Sequence, residues 1–155
     1  MIFMHTMDVP TPPAAVHAYV SDFKNLPRWD PTIKRVDQLT PGPVGRGTHY
    51  VVVLSFLGSE TTMDYDTKEF QPPVAAKLVG VASSSVATDT ITIEPTPTGS
   101  RLTWHAEITL AWPARIIDPV LKLLFSRDVA KAMANLEREL RALGQRARAP
   151  AAATG

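Results

Sequence analysis

The chain has 155 residues, 45% of them apolar and 20% charged, which describes one ordinary globular domain. With 16 Lys and Arg against 15 Asp and Glu, the net charge of +1 argues against a broad basic surface for nucleic acid or acidic membrane, which needs clustered positive charge. Zero cysteines exclude disulfides, thiolate metal sites and a cysteine nucleophile. No apolar run approaches the roughly 18 residues of a membrane span, so no integral membrane association is expected. Met1–Asp8 lacks the basic-then-apolar pattern of a secretory leader, and a cytoplasmic protein is expected.

The 14 prolines are well above the usual level of about 5%, yet Pro and Gly together stay below the share that marks disorder. They therefore read as punctuation. Ile2, Phe3, Met4, Met7 and Val9 form a first strand, closed by Pro10, Pro12 and Pro13. Thr11 is placed to cap a helix, with Pro12 at its first position. Val16, Tyr19, Val20 and Phe23 then recur at i, i+3, i+4 and i+7, one buried helical face. Asn25–Pro31 is too interrupted for more than a short helical turn.

From Ile33 to Trp112 the period becomes two. Strands are predicted at 34–39, 47–57, 60–70, 74–81, 86–94 and 101–112, cut at Pro and Gly clusters. Short loops between successive runs predict an antiparallel meander. After Pro113 the helical period returns. Asp118-Pro119 is a cap-and-start pair, and Leu121, Phe125, Val129, Ala132, Met133, Leu136, Leu140 and Leu143 share one stripe. Gly144 is a natural stop, so residues 1–144 read as a single domain and 145–155 as a disordered tail.

Alternation sorts the strands into two faces. A two-residue hairpin at Gly58-Ser59 would set Leu54 opposite Met63, Val52 opposite Tyr65 and Tyr50 opposite Thr67, with a slip of two leaving the faces unchanged. Ala76, Leu78, Gly80, Ala87, Asp89, Ile91, Ile93, Leu102, Trp104, Ala106, Ile108 and Leu110 join the inward set. Mixed polar and very small residues on this face leave two readings: a filled core by interdigitation, or a pocket under the long helix. The pocket reading assigns Trp29, Thr48, Tyr50, Val52, Leu54, Met63, Tyr65, Thr67, Leu78, Asp89, Ile91, Trp104, Ala106, Ile108, Phe125, Asp128, Val129 and Ala132 to a ligand cavity.

The pieces Val20-Ser-Asp22, Asn25-Leu-Pro-Arg-Trp29-Asp-Pro31, Pro43-Val-Gly45-Arg-Gly47-Thr, Glu69-Phe-Gln-Pro-Pro73, Gly99-Ser-Arg-Leu-Thr-Trp104 and Asn135-Leu-Glu-Arg-Glu-Leu140 carry a resemblance. Together with the element order they resemble the helix-grip fold of the START and birch-pollen-allergen superfamily. Within it the chain is similar to the polyketide cyclase/dehydrase and lipid-transport branch of the SRPBCC proteins. The resemblance implies an α+β fold: a seven-stranded antiparallel sheet wrapped around a long C-terminal helix, with two short helices after strand 1 and a hydrophobic cavity between sheet and helix. It also implies that the Trp29 region and the strand loops form the mouth.

Chemistry has few carriers. His5, His17, His49 and His105 include no i, i+4 pair, so no metal is expected, and no cofactor. His5 shares the phase of Phe3 and Met7 and reads either as a cavity residue or as a strand-end surface residue. Ser83-Ser-Ser85 has no nucleophile elbow around it, and Gly45-Arg-Gly47 lacks a following helix for a phosphate loop. Asp22 fixes the turn after the first helix. Asp89 is the informative residue: buried, it would lose hydration and hold its proton more tightly.

Two classes follow. In the first, the protein binds or carries a small apolar, lipid- or polyketide-like molecule, with Tyr50, Tyr65, Asp89 and Trp104 orienting it. In the second it is a cofactor-independent cyclase, aromatase or dehydratase, with Asp89, Tyr65 and Tyr50 as catalytic acid–base groups. A partner-binding stress or chaperone-associated module is a third reading, and either a monomer or a homodimer is compatible with the sequence. Asp89 separates a plain mouth hydrogen bond from chemistry; Asp128 is placed to close the same mouth or to serve the fold.

Overall fold

Turn chemistry sets the strand breaks, and the computed structural model, which describes residues 1–148, follows them closely. β1 (Ile2–Val9) leads into α1 (Pro13–Val20) and a 3₁₀ turn (Phe23–Arg28). β2 (Ile33–Gln38), β3 (His49–Phe56), β4 (Ser59–Gln71), β5 (Ala75–Val81), β6 (Ser85–Thr96) and β7 (Gly99–Leu110) follow as an antiparallel meander. A second 3₁₀ turn (Ala114–Ile117) delivers the chain to α2 (Asp118–Arg148). The sheet order is β1-β7-β6-β5-β4-β3-β2, so β1 closes on β7 and the helices cover one face. This is the seven-stranded helix-grip architecture that the resemblance implies, and the antiparallel meander that the alternation predicts.

The β3–β4 turn differs by one step. Leu57 and Gly58 both take positive φ, 51° and 77°, so they form the two-residue turn and Phe56 pairs with Ser59. A turn with both central residues in the left-handed region matches strand twist. The register is therefore Leu54 to Thr61, Val52 to Met63 and Tyr50 to Tyr65, two residues from the simple expectation, with the inward face unchanged.

Thr11 does not cap α1. Pro12 occupies the cap position in extended conformation, and no side chain satisfies the free N–H groups there. The Thr11 hydroxyl instead donates to the Leu140 carbonyl at 2.6 Å, and Ser100 Oγ donates to the Thr11 carbonyl at 2.5 Å. A buried residue between β1 and α1 thus rivets both β7 and α2.

The same contact explains why residue 144 is a glycine although it does not stop the helix. α2 continues to Arg148, so residues 145–148 of the expected tail are helical; residues 149–155 lie outside the described residues. Gly144 is buried where a Cβ would come within 2.5 Å of Thr11 Oγ1 and 2.8 Å of the Pro10 carbonyl oxygen. Glycine is here for close approach. In an open helix, alanine for glycine gains about 1 kcal/mol; here Gly144→Ala is expected to lose about 1–3 kcal/mol through overpacking. Urea denaturation reads the sign, and a gain in stability would contradict the contact.

The apolar stripe of α2 has two parts. Leu136 and Leu140 are fully buried and, with Val9, Val16, Val20, Ile93 and Leu102, fill the end of the sheet nearest α1. Toward its N-terminus the stripe is only half-buried at Leu121, Phe125 and Val129. There helix and sheet stand apart.

Candidate functional site: an apolar hollow with one buried carboxylate

The space between the N-terminal half of α2 and the sheet is a hollow of about 400 Å³. Its roof is Leu121, Phe125, Val129, Ala132 and Met133, and its floor includes Val52, Leu54, Met63, Ala87, Trp104, Ala106 and Ile108. Small residues from adjacent strands, Ala87 on β6 and Ala106 on β7, leave the room that larger ones would occupy. Phe56, at the end of β3, stacks on Phe125 with ring centroids 3.7 Å apart and bridges sheet to helix.

Asp89 projects into this hollow because β6 alternates and its register sets it opposite Ala106 and Leu78. Both carboxylate oxygens have donors: Trp104 Nε1 reaches Oδ1 at 2.8 Å, and the Tyr65 hydroxyl reaches Oδ2 at 3.2 Å. Trp104 comes from β7 and Tyr65 from β4, so three strands build one polar node. Burial pushes the Asp89 carboxyl up to about 6; the two donors oppose that rise, and the carboxylate of Asp30 adds to it. Burial, with Asp89 beside it, holds the Tyr65 proton far more tightly than an ordinary phenol.

Aromatic rings brace the node. Trp29 meets Trp104 edge-on at 5.3 Å, and Phe23 meets Tyr65 edge-on at 5.1 Å. Asn135 on α2 donates to the Trp29 carbonyl at 3.0 Å, fixing the segment after α1 against the helix.

Of the residues assigned to a cavity from the sequence, Trp29, Val52, Leu54, Met63, Tyr65, Asp89, Trp104, Ala106, Ile108, Phe125, Asp128, Val129 and Ala132 all line the hollow. Thr48, Tyr50, Thr67, Leu78 and Ile91 do not. They face inward as expected, but they lie where the packed core closes the sheet, and each is at most 5% exposed. The correction matters most for Tyr50. Its ring lies 5.8 Å from that of Phe23 and its hydroxyl has no hydrogen-bond partner among the described residues; it makes no hydrogen bond to Asp89 and does not line the hollow.

His5 lines the hollow from β1 while remaining exposed. His49 and His105 point outward: His49 Nδ1 sits 2.7 Å from Asp66 on the outer face. His17 is buried, with Nε2 2.8 Å from the Ala75 carbonyl oxygen. Asp22 accepts from the Lys24 N–H at 3.0 Å and caps the 3₁₀ turn.

Asp30 is the functional-site residue that alternation misses, because it lies on neither a strand nor a helix face. Its Oδ1 accepts from the Thr32 N–H at 2.9 Å and the Thr32 hydroxyl at 2.7 Å. The local signal was present as Asp30-Pro31-Thr32, a turn in which the aspartate bonds the backbone two residues on. Burial raises its carboxyl above the ordinary value despite those bonds, and Asp128 adds to the rise. Asp30, Asp89 and Asp128 all line the hollow, and no Lys or Arg among the described residues does so.

The family profile described as polyketide cyclase / dehydrase and lipid transport matches residues 2–141. An uncharacterized protein of Mycobacterium tuberculosis is 27% identical over 139 residues, covering 88% of this chain and 83% of that protein. A START superfamily protein from Mycobacterium smegmatis superposes with a TM-score of 0.76 at 17% identity, covering 92% of this chain and 98% of that one. The Zhui aromatase/cyclase from Streptomyces sp. R1128 superposes with a TM-score of 0.75 at 14% identity, covering 97% of each chain.

Proposed function

We propose that this chain, which belongs to the polyketide cyclase / dehydrase and lipid transport family, binds and carries a small, largely apolar molecule that donates a hydrogen bond to Asp89. The observation behind this reading is how the node's protons are used. Burial pushes the Asp89 carboxyl up to about 6, while the two donors around it favour the ionised, acceptor-only form. The Trp104 and Tyr65 protons are both directed at it. What remains toward the hollow is acceptor capacity: the other lone pairs of the carboxylate and of the Tyr65 oxygen. A ligand with a hydroxyl or amine satisfies that node, while its hydrocarbon covers the alanines, leucines and rings around it.

The same geometry weighs against the cyclase reading. Stabilising a developing enolate oxygen needs a donor aimed at it. Tyr65 has its proton engaged with Asp89, and Tyr50 lies outside the hollow. One observation favours catalysis: a carboxyl near 6 is suited to proton transfer close to neutrality. Turnover of a poly-β-ketone thioester that Asp89→Asn and Tyr65→Phe abolish, with binding intact, would establish the enzyme and displace the carrier.

The carrier reading is tested by calorimetric titration with 2-naphthol and with its methyl ether. The ether fills the same space but has no proton to give. A hydrogen bond to a charged acceptor makes naphthol the tighter ligand by about tenfold or more. Ala106→Phe, which occupies the hollow, is expected to abolish both titrations while the protein stays folded. Equal affinity for the two compounds contradicts the role of Asp89; binding that survives Ala106→Phe contradicts the site.

A further inference from the structure

Between the end of β7 and the first turns of α2, next in sequence to residues that line the hollow, the chain exposes apolar side chains that nothing in the fold covers. Trp112, Ile116, Ile117, Val120, Leu123 and Leu124 are between 37% and 78% exposed, with Trp112 the most so. They alternate along the chain with Ala114, Leu121 and Phe125, which line the hollow. Leu57, at the tip of the β3–β4 turn, is 69% exposed beside Phe56, whose ring stacks on Phe125. A contiguous apolar surface of this kind on a protein marks an interaction site.

Charge indicates the occupant. On α2 the exposed stripe runs Val120, Leu123, Leu124, Arg127, Lys131, spaced i, i+3, i+4, i+7 and i+11, so apolar residues give way to basic ones along one face. Arg115 precedes it in the second 3₁₀ turn, so three basic side chains lie on or beside this face between Trp112 and Lys131, while Lys122 falls on the opposite side of the helix. The two acidic residues in that span are turned elsewhere. Asp118 lies 3.5 Å from the Met1 amine, and Asp128 faces the hollow. The acidic residue nearest the β3–β4 tip is Glu60, on the outer sheet face. The chain's net charge of +1 conceals this local excess.

We propose that this end of the molecule docks on an anionic lipid surface, with Trp112 and the aliphatic side chains entering the interface and Arg127 and Lys131 at headgroup level. An apolar face with a tryptophan, followed by basic groups on long stems, is the composition of a helix that lies in a bilayer interface. No described helix is long and apolar enough to cross the membrane, so the association is peripheral. A second copy is the poorer occupant. A two-fold interface that pairs the two stripes would set apolar residues of one copy against Arg127 and Lys131 of the other and cover those charges without a counter-charge. Docking by this end rests on this surface alone, whatever the hollow carries.

Co-sedimentation of the full chain with phosphatidylcholine vesicles, with and without one-third phosphatidylglycerol, tests this directly. The protein is expected to pellet with the anionic vesicles and to be released by salt. Removing two charges by Arg127→Gln with Lys131→Gln should weaken that binding roughly thirtyfold, at about a fivefold factor per basic group. Leu123→Asp should remove it, with the circular dichroism and melting curve of each variant unchanged. Equal pelleting with both vesicle types overturns the proposal, as does no pelleting with either. A wild-type dimer that Leu123→Asp dissociates would assign the patch to a second copy and overturn it as well.

Discussion

Leu140→Ala is expected to destabilise the protein by about 3–5 kcal/mol, whereas Leu123→Ala on the same helix changes stability by less than about 0.5 kcal/mol. Both replace leucine with a strong helix former, so helix propensity cancels between them. The difference is burial: Leu140 is fully buried in the packed end of the domain, and Leu123 is 69% exposed. Truncating Leu140 opens a void between α2 and the sheet beside the Thr11 rivet, where backbone bonds limit collapse. Phe125→Ala falls between, because the phenyl ring already borders empty space and loses fewer contacts. Urea denaturation of the three variants measures the series. Similar losses at Leu123 and Leu140 would mean that α2 does not divide into a packed half and an open half.

The second large effect is electrostatic and has an unusual sign. Most carboxylates in proteins are held below their ordinary value; Asp89 is held above it, from 3.8 to about 6, chiefly by burial. A group that binds its proton more tightly in the folded state favours folding at low pH, and that advantage is lost as pH rises between its unfolded and folded values. For Asp89 the loss spans about pH 4 to 6 and amounts to about 3 kcal/mol at 1.36 kcal/mol per pKa unit. Asp89→Asn removes the charge; its carbonyl still accepts from Trp104, and its amide donates to the Tyr65 oxygen. The variant is therefore expected to be more stable than wild type above pH 6, with the gap closing toward pH 4. Taking the difference between the two proteins cancels the distant titrating groups, including Asp8 and Asp66, which are held low, and His49, held high by Asp66; Asp30, whose charge acts on Asp89, does not cancel. A wild-type protein that gains on the variant as pH rises would contradict a buried, costly charge.

Such a charge is the kind of feature that sequence periodicity can locate and cannot evaluate. Strict alternation in β4, β6 and β7 put Tyr65, Asp89 and Trp104 on one face, because a period of two leaves each residue a single choice. It could not say where along that face the helix departs from the sheet. Leu78 and Asp89 are paired across β5 and β6, yet only Asp89 reaches the hollow. That distinction depends on what covers the sheet, which is set by the long-range Thr11–Leu140 and Asn135–Trp29 contacts. Gly144 failed for a related reason: the local rule reads glycine as a helix end, and the tertiary contact with Pro10 and Thr11 overrides it. Asp30 was hidden because its role follows from an irregular turn, where no periodicity operates.

Most prolines mark junctions as expected, but Pro95 does not end its strand: β6 continues to Thr96, with Pro95 paired to Ser100. Pro10, Pro12 and Pro13 bound β1 and α1, Pro72 and Pro73 separate β4 from β5, and Pro113 divides the sheet from α2. Between these cuts lie the two features on which the proposed binding rests: small side chains under the N-terminal half of α2, and the carboxylate of Asp89 beside them.

The central claim is that a small apolar molecule occupies the hollow beside Asp89, and the three tryptophans report on it separately. Trp29 and Trp104 line the hollow and Trp104 donates to Asp89, while Trp112 stands exposed outside. In a ¹⁵N NMR titration with 2-naphthol, the indole signals of Trp29 and Trp104 are expected to shift together and saturate while Trp112 stays in place. A shift confined to Trp112, or none at Trp104 at saturation, would place the molecule elsewhere and contradict the account.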